Sequence, residues 1–421
     1  MITAVLGPPG TGKTHYLVNK VQEILGNTSI QPEQIGYFSF TNRAADEAKQ
    51  RTQRTLELPA HKLPYFRTLH SMAFYQLGLN RNLVFGREAM EKFAHWLGLE
   101  LTVGLQNAYT TDDTWPDKTE DDHTLFLMNL ARVSMLPEIC LEDQPWQCHW
   151  KWAKRTIQGY QLFKQTKYLY DFSDMLEQLV KRAAYPLLDV IVIDESQDLS
   201  PLQWNVVNGL IEFNPRAKVF IAGDDDQAIY QWAGASVGTF LDVIETAGKS
   251  VLLDHSHRVP AAAFSVAQHA IGHCKERRVK TWYPTEQRGK IEYQSAYEDI
   301  WWDQDKSYLC LARNNYLLKR AVQFLNDYKL PWSWITDKRP TPIKLSTIHG
   351  AKGAQADTVV LDLGMAKAAY NDGWVTDDEA RVWYVAVTRA KNELIFMEPV
   401  NSSTSSLYIG SPFSYSAYIG N

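Results

Sequence analysis

The chain has 421 residues, 45% hydrophobic and 22% charged, with a formal net charge of −5. That is the composition of a folded protein of two to four domains, and it excludes both a disordered chain and one coated in positive charge. No run is apolar enough to span a bilayer, and no basic-then-apolar leader opens the chain, so a cytoplasmic protein is expected. Cys140, Cys148, Cys274 and Cys310 form no CxxC pair, and Cys140 and Cys148 with His149 fit no zinc template; buried or free thiols are the expectation.

ITAVL (2–6) is a short apolar run fit for a buried strand, and GPPGTGKT (7–14) follows it directly. The eight residues fill GxxxxGK[ST] at every position, and THYLVNKVQEIL after them reads as the helix that this pattern requires. Gly7, Gly10 and Gly12 let the loop fold tightly, with Pro8, Pro9 and Thr11 between them, so that its N–H groups point inward at phosphate oxygens. Lys13 adds a positive charge for the β- and γ-phosphates, and Thr14 a hydroxyl for Mg2+. A nucleoside triphosphate with Mg2+ is therefore the expected ligand.

Residues 75–168 read as a mainly helical insertion. GREAMEKFAHWLG (86–98) has helical periodicity, and the acidic TDDTWPDKTEDD (111–122) reads as a solvated loop. QCHWKWAKRTIQGYQLFKQTKYLY (147–170) mixes basic and aromatic residues; it suits contact with a nucleic-acid backbone and, equally, a helix with a basic outer and an aromatic inner face.

LLDVIVIDESQD (187–198) is another apolar strand, ending in acids where a parallel strand presents its carboxyl edge. Asp194 is placed to hold Mg2+ through water and Glu195 to take a proton from the attacking water. AKVFIAGD (217–224) has the same acidic ending, so DDDQAIYQW would start beside the γ-phosphate and run away from it. Gln227 could then sense that phosphate, while Tyr230 and Trp232 offer faces for an unpaired base, each stack worth about 1–3 kcal/mol. Two core aromatics on a strand-to-helix connection are the plainer alternative. KERRVK (275–280) reads as solvent-facing, and the uncharged, Ser- and Tyr-rich residues 399–421 as a flexible tail or partner hook.

In this order along the chain the segments resemble the superfamily 1 helicases of the UvrD/Rep/PcrA kind, from residue 1 to about residue 397. FSFTNRAADEAKQR (38–51) and RTLHSMAF (67–74) are similar to family segments that face single-stranded DNA, which implies strand contacts at Phe40, Thr41, Thr68 and His70. LYDFSDML (169–176) matches a landmark before the acidic motif. LDHSHRVP (253–260) resembles a segment that would put His257 near the adenine and Arg258 at the γ-phosphate. LARNNYLLKRA (311–321) implies a strand contact at Arg313. LSTIHGAKGAQADTVVLDL (345–363) implies Thr347 and His349 toward DNA and Gly353 toward nucleotide. In WYVAVTRAKNELIF (383–396), Arg389 resembles an arginine finger.

The resemblance implies an α/β fold: two RecA-like P-loop domains with parallel sheets, plus a mainly helical insertion in the first. The first domain would comprise 1–74 and 170–254, the insertion 75–169, the second domain 255–397, and the tail 398–421. It implies an ATP-dependent 3′–5′ helicase or translocase, a monomer acting on single-stranded DNA and its junctions with duplex. A DNA-stimulated ATPase that does not unwind and a nucleotide-gated DNA clamp are the alternatives. Three departures bear on this: Ala233 stands where relatives carry arginine, Gln355 where they carry a ribose-binding glutamate, and the gap from Arg313 to Ser346 is too short for a large accessory insertion.

Overall fold

The computed structural model describes residues 2–101, 119–136, 150–364, 370–371 and 374–398. Cys140, Cys148, most of the acidic run at 111–122 and the tail beyond 398 lie outside the described residues.

Two six-stranded parallel sheets carry the chain. In the first, β1 (Ile2–Leu6), β2 (Ile35–Ser39), β3 (Phe66–Arg67), β4 (Val190–Asp194), β5 (Lys218–Gly223) and β6 (Lys249–Leu252) lie in the order β3-β2-β4-β5-β1-β6. β2 and β4 are buried along their whole length, which is why VIVID reads as a continuous apolar run rather than an alternating one. Between these strands run α1 (Lys13–Asn27), α2 (Asn42–Leu56), α3 (Leu69–Gln76), α4 (Arg87–Leu97), α5 (Glu120–Val133) and α6 (Trp150–Lys167). They are followed by α7 (Phe172–Arg182), α8 (Pro201–Phe213) and α9 (Val237–Thr246).

The period-2 geometry of β4 sends Val190 and Val192 to one face, against Leu17 and Val21 of α1. Ile191 and Ile193 point to the other, against Met72 of α3, Leu176 of α7 and Trp204 of α8. The helices start where short polar side chains can cap them: Thr41 accepts from Ala44 N, Thr68 from Ser71 N and Ser200 from Gln203 N, with Pro201 at the first turn of α8. Pairing of Ser39 with Asp194, and of Leu6 with Gly223, ends four strands at one level. The loops that follow them share one edge of the sheet.

The insertion is closed at its neck by a bridge between Val84 and Tyr170, where Phe85 N donates to Tyr170 O at 2.8 Å and Tyr170 N to Leu83 O at 2.7 Å. Its core is aromatic: Phe85 and Phe93 lie edge-on to Tyr160 at 4.9 and 5.4 Å between centroids. Arg132 of α5 and Lys164 of α6 reach Asp171 and Asp174 at the start of α7 at 2.5–2.7 Å, tying insertion to sheet. α6 resolves the two readings of its sequence only in part. Its inner face is aromatic and its outer face carries Lys151, Lys154, Arg155 and Lys167, but Lys164 is buried and paired.

The second sheet holds β7 (Lys290–Gln294), β8 (Tyr308–Ala312), β9 (Trp332–Trp334), β10 (Ile343–Thr347) and β11 (Ala356–Asp362). After a hairpin of β12 (Tyr370–Asn371) and β13 (Trp374–Val375), β14 (Ala390–Met397) enters it, in the order β7-β14-β11-β8-β10-β9. Its helices are α10 (Ala261–Gly272), α11 (Lys319–Asp327) and α12 (Asp377–Val387). Only α11 and β9, with short turns, lie between β8 and β10. The chain is thus a two-lobe RecA-like α/β protein.

One expectation is overturned at the junction of the lobes, for Lys280. The carboxylates of Asp224, Asp225 and Asp226 are fully buried and turned to the second lobe. Lys280, expected in solvent, sits among all three, with Asp224 at 3.0 Å and Asp226 at 3.1 Å. Arg277 closes a bidentate pair on Asp226 at 2.7 Å through each nitrogen. The three acids and the cations Arg277 and Lys280, about 50 residues apart, neutralise one another, while Lys275 and Arg278 of the same run remain exposed as expected.

Candidate active site

The loop after β1 turns into α1 with Gly10 and Gly12 at φ of 77° and 81°. Gly10 answers a second constraint, because a Cβ there would stand 2.6 Å from Ser256 Oγ and 2.7 Å from Arg258 Cβ. Ser256 Oγ donates to Pro9 O at 2.8 Å and His257 N to Gly10 O at 2.9 Å, so loop and segment form one wall. Lys13 is buried; its ammonium donates to Gly7 O at 2.8 Å and lies 3.7 Å from Glu195.

At the end of β4 the buried Asp194 accepts through Oδ2 from Tyr37 Oη at 2.6 Å and from Thr14 Oγ1 at 3.1 Å. Its Oδ1 accepts from Glu195 N at 2.9 Å. Burial, with Glu195 beside it, lifts the Asp194 carboxyl to about 6. Burial also pushes Glu195 up, but Lys13 and Lys352 outweigh it and hold that carboxyl at about 2, so Glu195 is an ionised acceptor. Glu195 has φ of 54°, a left-handed conformation uncommon for a residue with a side chain and one that surrounding structure must enforce.

Arg389, in the turn between α12 and β14, is 2% exposed. Its Nη2 donates to Gln227 Oε1 at 3.1 Å and its Nε to Val385 O at 2.9 Å, while Gln227 Nε2 donates to Asp224 at 2.7 Å. Burial lowers the Arg389 guanidinium to about 10, which leaves it charged at neutral pH. Arg258 is pushed well below its usual value by burial and by Arg389. Its Nε is buried with no hydrogen-bond partner among the described residues, which suits a phosphate oxygen. The Thr14 hydroxyl and Asp194 carboxylate are hard oxygen donors side by side, and so fit Mg2+.

Most of these groups meet in one cavity of about 370 Å³ to which both lobes contribute; Asp194, 1% exposed, is not in its wall and adjoins it through Thr14. Pro8, Gly10, Thr11, Gly12, Lys13, Thr14, Glu195 and Gln227 line it from the first; His257, Arg258, Gly353, Gln355 and Arg389 line it from the second. Gly7 and Pro9 act from behind, through the carbonyls that hold Lys13 and Ser256.

A larger cavity of about 850 Å³ opens between the first lobe and the insertion. Phe40, Thr41, Thr68, His70 and Tyr230 are in its wall. Phe40 and Tyr230 stack at 5.2 Å, and these two, with Thr41 and Asp198, line both cavities. Ala233 is in the wall as well, and Gly234 beside it packs against Val133 of α5.

The remaining expected strand residues lie elsewhere. Arg313 is in neither wall; Glu379 of α12 holds its guanidinium at 2.6 and 2.8 Å through Nη2 and Nε. Thr347 accepts from Gly350 N at 3.1 Å and so holds a turn. His349 is 2% exposed, its carbonyl accepting from Tyr230 Oη at 3.1 Å, and Trp232 packs edge-on against its ring at 6.1 Å. Neither Trp232 nor His349 is in the wall of either cavity.

Burial drives His349 down to about 3 and His70 to about 4. Both are neutral when folded and bind protons only on unfolding, so stability rises with pH up to about 6.5 and is lost as pH falls below it. Each adds a slope of at most about 1.4 kcal/mol per pH unit. Urea midpoints between pH 7 and 5 should fall less steeply in His70→Gln/His349→Gln than in the wild type; equal slopes would refute the assignment.

Four residues here carried no separate signal in the sequence reading. Gln197 and Asp198 stand inside the acidic motif, Lys352 inside HGAKG, and Tyr37 in an apolar strand. Lys352 donates to Asp198 at 2.5 and 2.6 Å and to Gln227 O at 2.6 Å. Burial lifts the Asp198 carboxyl to about 7 against the pull of Lys352.

The chain matches the UvrD/REP helicase N-terminal domain over residues 2–248 and the UvrD-like helicase C-terminal domain over residues 322–399. It is 25% identical over 461 residues to a Mycoplasma pneumoniae protein named "Probable DNA helicase", covering 98% of this chain and 83% of that one. It is 24% identical to the ATP-dependent DNA helicase PcrA of Staphylococcus epidermidis, covering 69% of this chain and 41% of the other. With DNA helicase II of Haemophilus influenzae the identity is 25%, over 70% of this chain and 42% of that relative. Against these last two, the chain spans less than half the relative's length. By the match over more than half its residues, with the phosphate loop and the second-lobe arginines in one cavity, the chain belongs to the UvrD/REP helicase family.

Proposed function

We propose that this chain is an ATP-driven motor that moves 3′ to 5′ along single-stranded DNA and opens duplex ahead of it. One observation carries the reading: a cavity walled by cations from both lobes shares Phe40, Thr41, Asp198 and Tyr230 with a second cavity of about 850 Å³. Triphosphate bound by Lys13 and the loop would draw Arg258 and Arg389 inward, and its hydrolysis would release them. Thr14 and Asp194 would hold Mg2+, which neutralises phosphate charge when bound. Glu195 would accept a proton from the attacking water, and Gln227 would link Arg389 to the γ-phosphate. His257, Gly353 and Gln355 would border the nucleoside.

On this reading residues 1–74 and 170–254 form the nucleotide-binding lobe, 75–169 the insertion and 255–397 the lobe that closes. Phe40, Thr41, Thr68, His70 and Tyr230 would grip the strand, with His349 and Trp232 backing Tyr230. Direction comes from the family alone.

The short span between β8 and β10 favours one second reading, a translocase without unwinding, because no accessory body stands there among the described residues. ATP turnover with and without oligo(dT), followed by a forked-duplex assay, separates the cases. Strong stimulation with strand release supports the motor, and stimulation without release supports the translocase. A Glu195→Gln chain that still performed the wild-type task would point instead to a nucleotide-gated clamp. Tyr230→Ala should lose about 1–3 kcal/mol of strand affinity, and an unchanged Kd would remove the large cavity from the strand path.

A further inference from the structure

Between the two cavities Glu195, Gln197, Asp198 and Lys352 are joined by contacts that the nucleotide and strand roles above do not use, with Lys352 in the wall of the smaller cavity. Gln197 is fully buried, and its amide has three protein partners. Its Nε2 donates to Glu195 Oε2 at 2.7 Å and to Asp198 Oδ2 at 3.2 Å; its Oε1 accepts from Asp224 N at 3.0 Å. The ionised Glu195 can only accept and the Asp224 backbone N–H can only donate, so one orientation of the amide is possible. The backbone is cleared for it, since a Cβ on Gly223 would stand 2.5 Å from Gln197 Oε1.

The second carboxylate in that chain belongs to the other lobe as much as to its own. Asp198 takes both its ion-pair contacts from Lys352, which also donates to Gln227 O and stands 5.1 Å from the centroid of the Tyr230 ring. Asp198 and Tyr230 are in the walls of both cavities. A rotation of the second lobe that drew Lys352 from Asp198 would leave a buried carboxylate looking for donors, and Gln197 is the nearest. That would pull the amide from Glu195.

We propose that Gln197 is a positioning residue for Glu195, and that the Asp198–Lys352 ion pair makes its hold depend on how the second lobe sits over the strand cavity. The proposal rests on the motor reading, in which Glu195 receives the proton and the large cavity takes the strand. Misplacing a reacting group by about an ångström can cost about 10²-fold in rate, so a contact this small can carry the coupling.

The test uses the full chain with kcat and KM for ATP measured with and without oligo(dT). Gln197→Met, nearly isosteric but unable to hydrogen-bond, should lower DNA-stimulated kcat by about 10–10²-fold with KM moved by less than about threefold. Lys352→Met and Asp198→Asn should each shrink the stimulation ratio, the double variant no further than the worse single, and Lys352→Arg should recover part of it. If Gln197→Met does not fold, the Lys352 and Asp198 cycle reads the same contact from the other lobe. Wild-type stimulation in these variants, or losses that multiply in the double, overturns the proposal and leaves the motor reading standing. A wild type that oligo(dT) does not stimulate at all overturns the motor reading, and this proposal with it.

Discussion

Arg389→Ala should lower ATP turnover by about 10³–10⁵-fold, which is about 4–7 kcal/mol of transition-state stabilisation. The expectation follows from where the guanidinium stands. It reaches a cavity formed with Lys13 and Glu195 from a lobe that carries no phosphate loop, and one Nε and two Nη2 contacts hold it there without an ion-pair partner. A guanidinium 2% exposed and without an ion-pair partner is well placed to gain from an anion entering the cavity. Its charge therefore matters most when negative charge moves onto the transferring phosphoryl group. Nucleotide affinity, measured with a fluorescent ATP analogue, should fall by less than about tenfold, because Lys13 and the loop remain. Arg389→Lys should recover little, since an ammonium cannot reach Gln227 and Val385 O together. A variant keeping a tenth of wild-type turnover would mean that the second lobe does not take part in the chemistry.

Local spelling and distant partnership were legible to very different degrees. A phosphate loop is eight consecutive residues between a strand and a helix, and VIVID followed by two acids is a strand end; their meaning lies within one window. The α/β class follows from such windows, because parallel buried strands must read as continuous apolar runs. What a charged residue touches is not in its window. Arg313 was placed on the strand by its segment, and the structure gives its guanidinium to Glu379, 66 residues on. KERRVK looks like a solvated run, yet Lys280 is among the most buried charges in the protein because its acids lie 55 residues earlier. Tyr37 gave no sign of itself, since a tyrosine in an apolar strand is ordinary until its hydroxyl is found 2.6 Å from Asp194.

The largest effect on stability should come from Lys280→Met. The Lys280 side chain is 1% exposed, and those of Asp224, Asp225 and Asp226 are fully buried, so no water is available to replace the ammonium. Burial opposes the charge on Lys280, but the three carboxylates hold its pKa above the usual lysine value. Removing it leaves Arg277 on Asp226 alone, and Asp224 and Asp225 without a cation. Breaking a buried pair from one side costs about 3–5 kcal/mol, which in lobes of this size is roughly 6–20 °C of melting temperature. Lys290→Met is the matched control: its pair with Glu292 is on the surface, the lysine side chain 62% exposed, and such a pair is worth about 0–1 kcal/mol. Added salt should narrow the control's small effect and leave the Lys280 effect in place, because ions screen exposed charges and not buried ones. The acids leave β5 of the first lobe while Lys280 and Arg277 belong to the second, so the variant should also melt in two steps where the wild type melts in one. A Lys280→Met chain that melts within 2 °C of the wild type, on the scale of about 2–4 °C per kcal/mol, would show that the three carboxylates are neutralised in some other way.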